Sequence, residues 1–205
     1  MSAADERGCF IVFEGGDGTG KSTQVRLLAE TLDALVTREP GGTAIGERLR
    51  ELWLDANSSA MVDRCEALVI AAARAQHVAE VIRPALESGR HVVSDRFAHS
   101  SIAYQGHGRG LAPEEVQRIN DWAIEGLWPD LVILIEVPDD IARQRLGQQL
   151  DRVESVGDGF HTRVREAFEA FADADPDRWV RIDGTGSIDQ VALRVRAAVR
   201  ERLSL

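Results

Sequence analysis

The string GGDGTGKST at residues 15–23 constrains this chain more than any other feature. It spaces a glycine, four residues, then glycine, lysine and a hydroxyl residue, the pattern of a phosphate-binding loop. Its flanks agree: CFIVFE at 9–14 reads as a buried strand and STQVRLLAETL at 22–32 as an amphipathic helix. In that order, glycines turn backbone N–H groups inward around an anion, and the helix N-terminus adds its positive end. Lys21 is the only lysine among 24 Lys and Arg residues. A compact ammonium on a flexible stem reaches between phosphates where a planar guanidinium forks away. Gly15, Gly16, Asp17, Gly18, Thr19, Gly20, Lys21, Ser22 and Thr23 are therefore the expected donor-phosphate cradle, with Ser22 placed to ligate Mg²⁺.

The remainder alternates strand and helix. ALVTREPGG at 34–42 reads as a short strand ending in a turn, and IGERLRELWL at 45–54 as a helix. A long helix is expected from about Val62 to Glu87, stopped by Gly89. HVVSD at 91–95 is an apolar strand ending in a carboxylate, and PEEVQRINDWAIEG at 113–126 opens a helix with proline and acids. LVILIEV at 131–137 is the continuous apolar run of a central parallel strand, while WVRID at 179–183 and IDQVALRVRAAVRERL at 188–203 supply a last strand and helix. The pattern predicts a single α/β domain over residues 1–205. Its core is a doubly wound parallel sheet of about five strands with helices on both faces, and ligands sit outside the strands' carboxyl ends. The segment 143–165, with five arginines and glycines at 147, 157 and 159, reads as a mobile lid between two helices.

Charge and absent motifs narrow the chemistry. A net charge of −10 argues against a nucleic-acid polymer as partner but not against a small phosphorylated substrate, which needs only a local cluster of arginines. The start, MSAADERG, is polar, and the apolar runs are too short to span a bilayer, so a cytoplasmic protein is expected. Cys9 and Cys65 read as small core residues, the five histidines as structural or surface groups, and Trp122 and Trp128 as core. The small residues of ALVIAAARA suit a dimer face. With one lysine, Lys21, a guanine-reading Asn-Lys-Asp run cannot exist, and no LSGGQ transporter signature is present. A small-molecule kinase fits best, with a nucleotide-dependent switch ATPase as the rival from another class.

FEGGDGTGKST, TREPGGT and DRFAHSSIAYQGHGRG, in this order and spacing, resemble the thymidylate kinase family, and FHTRVREAF resembles its bacterial members. The likeness runs from Phe10 to about Phe168, with IDGTGS at 182–187 as a weaker continuation. It implies a P-loop kinase fold and transfer of the ATP γ-phosphoryl to dTMP, with Mg²⁺, in a homodimer; a P-loop kinase for another nucleotide or small metabolite is the nearest alternative. The resemblance gives Asp17 the sugar hydroxyl and Arg96 the acceptor phosphate, with Arg38, Glu39 and Arg50 beside it. Tyr104 crowds the 2′ position, Arg74 and Gln105 meet the base edge near Ser101, and Asp95 joins Ser22 at the metal. One turn before Arg74 the family carries an aromatic that stacks on thymine; this chain has Ile70, and Phe97 is the candidate to compensate. Gly18 stands where one branch of the family has a catalytic arginine, so that arginine is expected from the lid. Arg143 and Arg152 are the first choices, with Arg145 the third candidate. Lys21, Asp17, Arg96, Arg143 and Arg152 form the expected catalytic set.

Overall fold

The computed structural model describes residues 7–58, 60–146 and 158–205. Strands β1 (Phe10–Glu14), β2 (Leu35–Arg38), β3 (Val92–Asp95), β4 (Leu131–Glu136) and β5 (Trp179–Asp183) form one sheet in the order β2-β3-β1-β4-β5, all pairs parallel. Helices intervene: α1 (Lys21–Leu32), α2 (Ala44–Leu54), α3 (Asp63–His77), α4 (Arg83–Glu87), α5 (Ala98–Ser101), α6 (Pro113–Ile124), α7 (Asp139–Leu146), α8 (Asp158–Ala174) and α9 (Ile188–Leu203). Alternate residues of one strand feed opposite cores, because successive side chains point to opposite faces. Ile11 and Phe13 pack with Val25, Leu28, Val195 and Val199 of α1 and α9, while Phe10 and Val12 pack with Val78, Ile82, Leu86 and Ile124. The sheet is thus covered on both faces, which is why β4 is apolar and buried from Leu131 to Ile135.

The chain leaves β1 for one side of the sheet and leaves β3 for the other. Ligands bind where that direction switches, outside the carboxyl ends of β1, β3 and β4. Register sharpens the placement: Arg38 and Phe13 both pair with Asp95, so β2 and β3 end at one level and β1 ends one residue beyond it, with Glu14 beside Leu134 of β4.

Four expectations are corrected. The helix expected from Val62 to Glu87 is not uniform: it widens to a π-helical turn over Val78–Ile82 before α4. Pro84 lacks the N–H that would serve the carbonyl of Glu80, so the ladder shifts ahead of it. Trp122 is not core but 84% exposed, while Trp128 does pack against the apolar cluster under β1. Cys65 is exposed and Cys9 only half-buried, so the pair does not read as core. The segment expected as a lid begins and ends inside helices, since 143–146 belong to α7 and 158–165 to α8. Its middle, with Arg152, lies outside the described residues.

Candidate active site

The loop between β1 and α1 sits at the floor of a cavity of about 620 Å³. Gly15 turns with φ 133°, and a Cβ there would stand 2.6 Å from the carbonyl oxygen of Ile135 on the neighbouring strand, so only glycine lets the loop pass β4 so closely. Gly20, at φ 93°, opens α1 with no side-chain cap and no acid in the first turn. The helix therefore keeps its N-terminal N–H groups and positive end for an anion. Lys21 is nearly buried and its Nζ donates to the carbonyl of Gly16 at 2.5 Å. Burial lowers its pKa to about 8, and nearby Arg96 pushes the same way. Ser22 Oγ donates to Asp95 Oδ2 at 2.5 Å, which joins the loop to the end of β3.

Arg96 follows in the left-handed region at φ 70°, uncommon for a side chain of its size. Its N–H donates to the carbonyl of Phe13 at 2.9 Å and its own carbonyl accepts from Ser94 Oγ at 2.8 Å, so the turn is fixed from both sides. The conformation aims the guanidinium into the cavity. There it donates to Asp17 Oδ1 at 2.5 Å, Tyr104 Oη at 3.0 Å and the carbonyl of Gly15 at 3.0 Å, and lies over the Tyr104 ring. Burial alone would raise the Asp17 pKa, but Arg96, Lys21 and the Tyr104 hydroxyl outweigh it and hold the carboxyl at about 2.

Beneath Arg96 lies Glu14, fully buried, a residue the motif reading passed over. Its carboxylate accepts from the N–H groups of Phe97 and Ser100 and from Ser100 Oγ. Burial pushes its pKa up to about 7 despite the nearby Arg96 charge and those hydrogen bonds. The only sequence signal for it was a carboxylate ending an otherwise apolar strand.

A side pocket of about 100 Å³ opens from the main cavity, sharing Asp17, Glu39, Arg50 and Arg96 with it. Ile70, Arg74, Ser101, Tyr104 and Gln105, each expected at the acceptor base or sugar, line it, as do Pro40 and Trp53. Tyr104 and Gln105 are brought there by a π-helical segment, Ile102–Gly108. Arg38 and Arg50 line the main cavity, with Arg38 donating to Glu47 and Arg50 to the carbonyl of Pro40. Two expected residues are engaged within the fold. Arg74 donates to Glu39 Oε2 at 2.6 Å, to Ser101 Oγ, to Asn120 Oδ1 and to the carbonyl of Phe97, while Glu39 Oε1 meets His77 Nδ1 at 2.9 Å. Phe97 is wholly buried between Phe10 and the Arg74 guanidinium and lines neither cavity, so it does not compensate for Ile70.

Arg145 of α7 also lines the main cavity, donating to the carbonyls of Thr19 and Gly184 and so bridging the phosphate loop to the turn after β5. Arg143, on the same helix, is not among the described lining residues. Gly184, Gly186, Ile188 and Val191 complete the wall beyond the loop, where the weaker IDGTGS continuation had pointed.

A phosphate loop opening an uncapped helix, five cations (Lys21, Arg38, Arg50, Arg96 and Arg145) around one cavity, and a second pocket for an acceptor define a P-loop phosphotransferase. The sequence matches the description Thymidylate kinase over residues 13–195. Thymidylate kinase of Bifidobacterium longum strain NCC 2705 is 46% identical over 202 residues, covering 95% of this chain and 98% of the relative. That of Leifsonia xyli subsp. xyli is 46% identical over 212 residues, 99% of this chain and 100% of the relative. The crystal structure of the Ehrlichia chaffeensis thymidylate kinase superposes with a TM-score of 0.79 at 33% identity, covering 94% of this chain and 99% of that one. The chain belongs to the thymidylate kinase family, and its activity is the phosphorylation of dTMP. The family takes the phosphoryl group from ATP.

Proposed function

We propose that the main cavity holds ATP and the side pocket holds dTMP, with the γ-phosphoryl transferred across Arg96. The single observation that carries this reading is the junction of the two cavities at Asp17 and Arg96. Phosphoryl transfer asks little covalent chemistry of a protein and much positioning and charge neutralisation. Lys21 and the loop N–H groups neutralise the donor's phosphates. Arg96, with Arg50 and Arg38 beside it, takes the acceptor phosphate. Asp17, so relieved of Arg96, accepts from the sugar hydroxyl, while Tyr104 closes the space a ribose 2′ hydroxyl would need. Arg145, already bridging the loop and the turn after β5, neutralises the transferring group.

Ser22 and Asp95 fit Mg²⁺: they offer two hard oxygens side by side at the cavity edge beside Lys21. Among the described residues no cluster of three or more metal-ligating His, Cys, Asp or Glu side chains occurs. A magnesium ion held by one carboxylate, one hydroxyl, waters and substrate phosphates needs no such cluster. When bound, the ion neutralises donor phosphate oxygens. The test is a Mg²⁺ titration of turnover: Asp95→Asn and Ser22→Ala should each require more Mg²⁺ for half-maximal rate, and an unchanged titration in both removes them as ligands.

The enzyme works as a homodimer in the cytoplasm under this reading. Arg64 of α3 faces Glu115 of α6 at 3.8 Å. Leu68 lies one turn on from Arg64 and Trp122 two turns on from Glu115, and both are exposed, so an apolar strip runs along one face of the helix pair. A second copy burying that strip accounts for a tryptophan left in solvent. No helix among the described residues is long and apolar enough to cross a membrane.

A further inference from the structure

The side pocket divides by chemistry. Arg74, Ser101, Gln105 and Glu39 give it a polar rim, and Trp53, Ile70, Pro40 and Tyr104 give it apolar walls. A planar pyrimidine binds such a slot with its edge on the polar groups and its faces on the walls. The two aromatic walls are not equivalent. Tyr104 is committed, its hydroxyl to Asp17 and its ring to the Arg96 guanidinium at 5.0 Å. Ile70 of α3, where the resemblance leads one to expect a ring, presents a branched aliphatic chain. Trp53 of α2 packs in the same apolar cluster as Ile70 and Tyr104, is 9% exposed, and lines the pocket. Helix α2 is anchored just before its first turn by Thr43, whose side chain accepts from the N–H of Gly46, and by Arg50 on the carbonyl of Pro40, so the indole is held in place without substrate.

We infer that Trp53 supplies the aromatic surface for the acceptor base, the ring having moved from helix α3 at position 70 to helix α2 at position 53. The inference rests on the reading of the side pocket as the dTMP site. Trp53 is then a specificity-determining residue whose effect is confined to the acceptor. Base–aromatic stacking is worth about a fivefold change in affinity per base at the lower end of its range and over about a hundredfold at the upper.

Two measurements on the full chain test it. In steady-state kinetics, Trp53→Leu should raise KM for dTMP about tenfold while kcat and KM for ATP stay within about twofold, and adding Ile70→Phe should recover part of the loss. A KM for dTMP unchanged in Trp53→Leu overturns the inference. The second readout needs no turnover. Of the four tryptophans, Trp122 is exposed to solvent, Trp128 and Trp179 lie in apolar clusters, and only Trp53 lines the pocket, so dTMP alone should change the emission of the wild type. Trp53→Phe keeps a ring and the packing; it should still bind dTMP within about threefold by calorimetry but lose the emission change. A full emission change in Trp53→Phe overturns the inference even if Trp53→Leu fails to fold. Calorimetry on the wild type separates the two levels: dTMP bound with Trp53 silent rejects this residue alone, whereas no dTMP binding rejects the pocket reading and this inference together.

Discussion

Glu39→Gln changes one charge in a site almost closed to solvent. Arg74 and Glu39 are each about 1% exposed, and the remaining Arg74 partners, Ser101 Oγ, Asn120 Oδ1 and the Phe97 carbonyl, are all neutral. The amide has nearly the same volume as the carboxylate, so no cavity forms, but the guanidinium stays buried without a counter-charge. Breaking a buried pair from one side costs about 3–5 kcal/mol. For a chain of this size that lowers the melting temperature by roughly 6–20 °C, at about 2–4 °C per kcal/mol. The assay is urea unfolding with a thermal scan, run on Glu39→Gln, Arg74→Met and the double variant. The double variant should be much less destabilised than the sum of the singles, because it removes both buried charges. A loss under about 1 kcal/mol for Glu39→Gln, or strict additivity, refutes the reasoning that Glu39 is the counter-charge of the buried Arg74.

Three further outcomes follow from the same structure. Burial raises Glu14 from 4.5 to about 7, so between those pH values the folded state binds the proton more tightly than the unfolded state, and stability falls as pH rises through that window. The loss is on the order of 3 kcal/mol; Glu14→Gln should flatten it in urea unfolding at pH 5, 7 and 8.5, and parallel curves would contradict the assignment. Lys21→Met removes an ammonium whose pKa burial lowers to about 8, so it should raise the melting temperature while cutting turnover about 10²-fold or more; a stabilised variant that stays active would be inconsistent with Lys21 as the phosphate cation. Trp122→Lys should leave the fold intact, since the side chain is 84% exposed, yet shift the mass in light scattering from dimer to monomer; an unchanged mass removes that face from the interface.

What could be read in the sequence was local. The phosphate loop, its strand and its helix lie within about two dozen consecutive residues, and their periods and glycines specify them without tertiary help. The five strands were legible for the same reason, each being a short β-prone stretch between turns or helices, most apolar in β1, β3 and β4. Residues 98–108 were not, because AHSSIAYQGHG has two glycines and no apolar period, and its helical turns are held by Glu14 and by packing against α6 and α8. The Glu39, Arg74 and His77 network joins residues 35 and 38 positions apart, beyond any local pattern. Trp122 and Trp53 show the limit of helical periodicity. It indicates that a tryptophan belongs to an apolar face, but not whether that face meets the core, a ligand or a second chain.

The most direct measurement follows the label from γ-labelled ATP in wild-type enzyme with Mg²⁺ and an equimolar mixture of dTMP, dUMP, UMP, CMP, AMP and GMP. Label recovered in dTDP, with one ADP formed per labelled dTDP and none without acceptor, is the predicted result. Label recovered as free phosphate irrespective of dTMP, or in the diphosphate of another base, would contradict the account.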